Sequence, residues 1–174
     1  MANIVLVGIP GSGKTTVGSL LANALNRDFF DSDQVIEKIA GKSVADIFTQ
    51  DGEPAFRELE AHVISDLLKS DECVISLGGG ALTNADTRAL MKDQAVIWLT
   101  AGLAQTVARI GLNRNRPLLL GNVRGQLSSL MEAREPLYRE VARHTIDTTE
   151  LLPEQVVLAI TALLNSDKDS DDHH

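Results

Sequence analysis

Near the start of the chain, Gly8-Ile9-Pro10-Gly11-Ser12-Gly13-Lys14-Thr15 sets three glycines ahead of a lysine and a hydroxyl. The spacing matches the phosphate-binding pattern GxxxxGK(S/T) in full. The apolar run Ile4-Val5-Leu6-Val7 precedes it, and the stretch from Thr16 to Ala22 reads as helix. Strand, loop and helix in that order are what the chemistry needs. Glycines let the backbone curl so that successive N–H groups face phosphate oxygens. The helix N-terminus adds partial positive charge. Lys14 suits the outer phosphates of a nucleotide, and the Thr15 hydroxyl suits Mg²⁺. GTPases, motor ATPases and small-molecule kinases share such a loop, so other residues must say where the phosphate goes.

Transfer to a hydroxyl needs a group to orient it, cations for the developing charge and closure against water. Asp31-Ser32-Asp33 follows the second predicted strand, where open parallel sheets bind ligands. One acid can hold a magnesium-bound water while the other accepts a hydrogen bond from an alcohol. The same residues are good helix N-caps, and both readings stay open. Arg57 and Glu60 share a helix face, either as an anchored cation for an anionic substrate or as a surface ion pair. Gly78, Gly79 and Gly80 form a run that a tight turn rarely needs, and close approach of a ligand to bare backbone would explain it. Arg116-Pro117-Leu118-Leu119 lies in a segment, about 111–121, that suits a closing lid or an ordinary surface loop. Arg134 opens a predicted helix, where a cation is ill placed for the dipole, which points to another task.

The elements that must position these groups follow from alternation of apolar and amphipathic stretches, which predicts an α/β fold with a helix-covered parallel sheet. Predicted strands cover 3–7, 28–31, 73–77, 95–99 and 144–147. Predicted helices cover 13–25, 33–40, 54–69, 84–91, 103–109, 125–132, 136–144 and 153–164, with Asp51 as a cap for the third. A chain of 174 residues fits one domain, here about 1–165. The acidic tail 166–174 reads as disordered.

The formal net charge of −8 argues against nucleic acid as a partner. Seven of ten arginines nevertheless fall between 109 and 143, with three acids, for a local +4. Such a concentration fits a site for small anions or a solvated basic face. No apolar run is long enough for a membrane span, and the N-terminal residues read as a core strand, so a cytoplasmic protein is expected. Cys73 stands alone in an apolar run and reads as a buried thiol. With no apolar stripe left over, a monomer is expected.

The phosphate loop, Asp31-Ser32-Asp33, Gly52-Glu53-Pro54-Ala55-Phe56-Arg57-Glu58-Leu59-Glu60, the triple glycine, Arg116-Pro117-Leu118-Leu119 and Arg134-Glu135-Pro136-Leu137-Tyr138 together resemble shikimate kinases of the nucleoside-monophosphate-kinase-like superfamily. The resemblance runs over about residues 3–164. It implies a three-layer α/β/α P-loop kinase with a five-stranded parallel sheet in the order 2-3-1-4-5. It also implies transfer of the ATP γ-phosphate to the 3-hydroxyl of shikimate. Asp33 would meet the substrate hydroxyls as candidate base, Arg57 and Arg134 its carboxylate, and Gly78, Gly79 and Gly80 would line its pocket. Gly11, Ser12, Gly13, Lys14, Thr15 and Thr16 would hold the ATP phosphates. Lys14 and Arg116 would act on the transferring group, while Arg109 and Pro153 would flank adenine. Mg²⁺ would sit on Thr15 directly and on Asp31 through water. Arg114 departs from the pattern, with solvent or ATP as its partner. A kinase for gluconate or another polyol acid would share the loop and lid without needing the combined set. A non-catalytic nucleotide-binding module would lack the acceptor residues.

Overall fold

The computed structural model describes residues 2–111 and 123–172. Five short strands pair in parallel in the order β2-β3-β1-β4-β5, as expected. They are β1 (Ile4–Val7), β2 (Phe29–Asp31), β3 (Val74–Ser76), β4 (Ala95–Thr100) and β5 (His144–Asp147). Every residue of β1 is buried, because helices cover both faces of the sheet. The side chains still alternate. Ile4, Leu6, Ile97 and Leu99 join one core with α1 (Lys14–Leu25) and α8 (Pro153–Asp171). Val5, Val7 and Val96 join the other, with Ile64 of α4 (Glu53–Leu67) and Tyr138 of α7 (Val123–Val141).

The register fixes the working edge. Leu6 of β1 pairs with Ser76 of β3, and Ser76 with Asp31 of β2. The three strands therefore end side by side. The phosphate loop, the triple glycine and Asp31-Ser32-Asp33 leave the sheet as neighbours, at the carboxyl edge where such sheets bind ligands.

Four expectations are corrected. The first concerns a helix that the periodicity missed. Alpha-helix α3 (Val44–Gln50) follows α2 (Ser32–Ala40), and Ser43 caps it by accepting a bond from Asp46 N at 3.1 Å. Asp51, expected to cap the next helix, ends α3 instead, and its carboxylate pairs with Lys42 at 2.7 Å. Helix α4 starts from Gly52, whose φ of 88° suits glycine. The second and third corrections extend helices past apparent stops. Pro136 lies inside α7, where two helices were expected. An interior proline costs about 3 kcal/mol. Burial of Leu127 and Tyr138 on either side offsets that, at about 1.5–3 kcal/mol for a large apolar side chain. Similarly, α8 continues to Asp171, so the described part of the expected disordered tail is helical. Propagation from a packed start needs only one bond per residue. Asp167 also accepts from His144 Nε2 at 2.8 Å and pairs with Arg143 at 3.2 Å. The fourth concerns smaller elements: the stretch after α5 (Ala85–Leu90) tightens into a 3₁₀ turn at Met91–Asp93.

Cys73 is 5 % exposed, and burial pushes its thiol up from the ordinary value. No helix among the described residues is long and apolar enough to cross a membrane. The expected lid, with Arg114 and Arg116, lies outside the described residues except at Gly111, the last residue of α6 (Leu103–Gly111).

Two substitutions separate core from periphery. Ile64→Ala, at a site with no exposure, is expected to cost about 2–5 kcal/mol. Asp167→Ala, which breaks partly exposed ion pairs, is expected to cost less than about 1 kcal/mol. Denaturant titration measures both. Equal costs would show that the end of α8 belongs to the cooperative core.

Candidate functional site

The phosphate loop is shaped by backbone that other residues resist. Gly8, Gly11 and Gly13 have φ of 152°, 82° and 90°. A Cβ on Gly8 would stand 2.6 Å from the Leu99 carbonyl oxygen, so β4 leaves no room for one. Gly13 ends the loop as the N-cap of α1 without a side-chain cap, which leaves the first amides of the helix for an anion. Buried Lys14 turns back along the loop, its Nζ donating to Gly8 O at 2.8 Å and Ile9 O at 3.0 Å. Thr15 and Thr16 are exposed on the first turn. Arg109, on α6, donates to Gly11 O at 3.1 Å, which places a guanidinium across the loop.

Asp31 caps α2 and also meets the phosphate-loop hydroxyl. Its Oδ1 accepts from Gln34 N at 3.2 Å and so caps α2, while its Oδ2 accepts from the Thr15 hydroxyl at 2.7 Å. Hydroxyl and carboxylate oxygens together are hard donors of the kind Mg²⁺ takes. The described residues contain no cluster of three or more metal-type side chains. A cation here would complete its shell from phosphates and water, the usual habit of Mg²⁺.

Ser32, fully buried, accepts from Gly78 N at 2.9 Å and locks the end of β3 to the start of α2. The three glycines then explain themselves one at a time. A Cβ on Gly78 would lie 2.6 Å from Asp33 Oδ1. One on Gly79 would lie 2.8 Å from Pro10 Cδ and 3.0 Å from Arg134 Nη1. One on Gly80 would lie 2.5 Å from Arg57 Nη2. Bare backbone thus brings Asp33 from α2, Arg134 from α7 and Arg57 from α4 onto one strip, beside the phosphate loop.

Each cation is held. Arg57 Nη1 donates to Glu60 Oε1 at 2.9 Å, and its guanidinium lies 5.8 Å and 5.2 Å from the Phe48 and Phe56 ring centres. Glu60 is 3 % exposed, so this is no surface ion pair. Burial raises the Glu60 pKa above its ordinary value, and Asp33 adds to the rise, while Arg57 and Arg134 oppose it. One buried carboxyl therefore feels all three expected acceptor-side residues. Arg134 stands one turn before Tyr138, whose hydroxyl donates to Gly79 O at 2.6 Å. Phe48 lay outside the sequence motifs, while Pro10 and the tyrosine lay within them without an assigned role; for Tyr138 a cue was present. Its signal was a lone tyrosine four positions after Arg134.

On the nucleotide side, Pro153 opens α8 beyond β5. The loop between them is tied to the helix that carries Arg109, because Thr149 Oγ1 accepts from Gly102 N at 2.9 Å. Asp147 accepts from the Thr149 hydroxyl and N–H, and these bonds hold its carboxyl below the ordinary value. The sequence assignments of Lys14, Thr15, Asp31, Asp33, Arg57, the glycines and Arg134 therefore fall at one edge of the sheet. Arg116 lies outside the described residues.

Residues 10–165 match a family model described as shikimate kinase. Among curated relatives, a shikimate kinase from Thermobifida fusca is 48% identical over 151 residues, covering 87% of this chain and 88% of the relative. One from Corynebacterium efficiens is 44% identical over 165 residues, covering 94% and 97%. Among solved structures, a shikimate kinase from Acinetobacter baumannii in complex with shikimate superposes with a TM-score of 0.92 at 39% identity, covering 97% of this chain and 95% of that one. A gluconokinase from Sinorhizobium meliloti, at a TM-score of 0.61 and 20% identity, shares the fold alone.

The Glu60 environment gives a signed pH effect. Its folded pKa lies above the ordinary 4.5, so between the two values the native state binds more proton than the unfolded chain does. Stability from this group is lost as pH rises from about 4.5 through the folded pKa. Glu60→Gln removes the titration. Its unfolding free energy relative to wild type should therefore rise as pH increases above about 4.5. A fall over that range, in paired denaturant titrations, would mean that the arginines outweigh burial.

Proposed function

The chain belongs to the shikimate kinase family, and we propose that it transfers the ATP γ-phosphate to the 3-hydroxyl of shikimate through the groups gathered on the triple-glycine strip. The observation that carries the assignment of roles is the convergence of Asp33, Arg134 and Arg57 on Gly78, Gly79 and Gly80. A ring alcohol with a carboxylate matches that arrangement. Arg57 and Arg134 offer two planar guanidiniums to the carboxylate, the geometry that suits bidentate pairing. Asp33 accepts the hydrogen bond of the reacting hydroxyl and takes its proton as transfer proceeds. Pro10, against Gly79, joins this pocket to the phosphate loop and sets the distance between alcohol and phosphate.

On the nucleotide side, loop amides from Gly11 to Thr16 bind the phosphates, and Lys14 follows the γ-phosphoryl group as its charge spreads. Arg116 joins Lys14 there. Arg109 and Pro153 flank the adenine. Thr15 would hold Mg²⁺ directly and Asp31 would hold it through water, and the ion would supply neutralisation of phosphate charge. Catalysis then rests on positioning and electrostatics, without a covalent enzyme intermediate. The proposal extends to a single catalytic domain over about 1–165 that acts as a cytoplasmic monomer without nucleic acid or membrane partners. The acidic balance and the lone buried cysteine support it.

A coupled assay of ADP release tests the substrate. Shikimate should support turnover, whereas gluconate and AMP should not, and equal rates on gluconate would overturn the assignment. Lys14→Ala and Asp33→Ala are each expected to lower kcat by at least about 100-fold, since each acts mainly in the transition state. Residual activity in double-digit percentages would refute the assigned role. Arg57→Ala should raise KM for shikimate well above any change in KM for ATP, and an unchanged shikimate KM would contradict the carboxylate role.

A further inference from the structure

The triple-glycine strip is wired so that its carbonyls are taken from within the protein. Gly78 O accepts from Ala81 N at 3.1 Å. Gly79 O accepts from the Tyr138 hydroxyl at 2.6 Å. Gly80 O accepts from the Thr83 hydroxyl at 2.7 Å and from Thr83 N at 3.2 Å. Gly78 N is used by Ser32. Among the described residues, the N–H groups of Gly79 and Gly80 are the donors of this strip without a hydrogen-bond partner.

A peptide unit is planar, and in the trans form its carbonyl and N–H point in opposite directions. No peptide among the described residues is cis. The unit joining Gly79 to Gly80 therefore has one rotational freedom, and whichever group holds Gly79 O sets the direction of Gly80 N–H. Glycines on both sides make rotation of this unit easy, since no Cβ opposes it. We infer that Tyr138 is a positioning residue for the acceptor: its hydroxyl pins Gly79 O and thereby aims Gly80 N–H, beside Arg57, at the oxygens of the bound alcohol acid. The inference rests on the reading that Gly78, Gly79 and Gly80 line the shikimate pocket.

The surroundings suit that task. Tyr138 is 2 % exposed, and its ring packs on Trp98 at a centroid distance of 5.7 Å. Burial pushes its hydroxyl up to about 12, against the opposing pull of Arg134, so it stays a proton donor throughout the working range of the enzyme. Tyr138 and Arg134 sit one turn apart on α7, so a single helix delivers both the carboxylate clamp and the pin. The contact spans 59 positions of sequence, which makes α7 a direct determinant of the backbone it faces.

The test is Tyr138→Phe, which removes the hydroxyl and keeps the ring on Trp98. Steady-state kinetics with shikimate and ATP varied separately should show KM for shikimate raised about 3- to 10-fold, the scale of one lost hydrogen bond. KM for ATP should change less than about 2-fold, because the phosphate loop has its own anchors. An active wild type whose variant shows no change in shikimate KM, or equal changes in both KM values, overturns the inference alone. A wild type inert on shikimate overturns the family reading, and this inference with it. A second measurement does not depend on the variant folding. In wild-type protein labelled with ¹⁵N-glycine, shikimate should move the Gly80 amide resonance and leave that of Gly41, at the end of α2, in place. An unmoved Gly80 amide overturns the inference.

Discussion

The site depends on a strip of backbone without side chains. At the end of β3, between the ends of β1 and β2, Gly78, Gly79 and Gly80 each leave the volume of one Cβ to a functional group from a different helix. Three consecutive glycines lose more conformational entropy on folding than alanines would, by roughly 0.5–1 kcal/mol each. The return is convergence: an acid and two guanidiniums reach one small pocket that no single helix or strand could furnish. Close approach also excludes water, which strengthens each charge interaction within the pocket.

Convergence of charge under low exposure has its own cost, and the structure distributes it. Arg57 is matched by Glu60 and two phenylalanine rings, which together fix its position. A buried acid left without its arginines would be far more costly than the pair. Burial remains the largest influence on Glu60 and holds its pKa above the ordinary value.

Much of this was legible in the sequence, for reasons that differ by residue. The phosphate loop could be read because its pattern is local: each glycine, Lys14 and Thr15 act on a ligand within a single turn of chain. The strand order was carried by resemblance, since parallel pairing has no local signature. Asp31 was readable as a cap or as a metal-side acid, and the structure shows the cap together with a Thr15 contact that local sequence does not report. Helix α3 escaped because it is short and its apolar face meets α4, which local periodicity does not report. The proline inside α7 and the charged end of α8 misled for a shared reason. Both are poor helix locally and are carried by tertiary contacts, Tyr138 and Leu127 in one case and Asp167 with His144 in the other. Tyr138 stayed invisible as a site residue because its partner is a backbone carbonyl far away in sequence.

The same wiring bears on how the site selects its ligands. Lys14 already has two carbonyl partners, Thr15 has Asp31, and Arg57 has Glu60. At Lys14, binding an anion is an exchange of partners. A neutral ligand that displaced the carbonyls from Lys14 would trade one set of dipoles for another and gain little. A phosphate offers charge-assisted bonds worth about 1.5–3 kcal/mol each, against about 0.5–1.5 for neutral ones. The exchange at Lys14 then favours an anion over the loop.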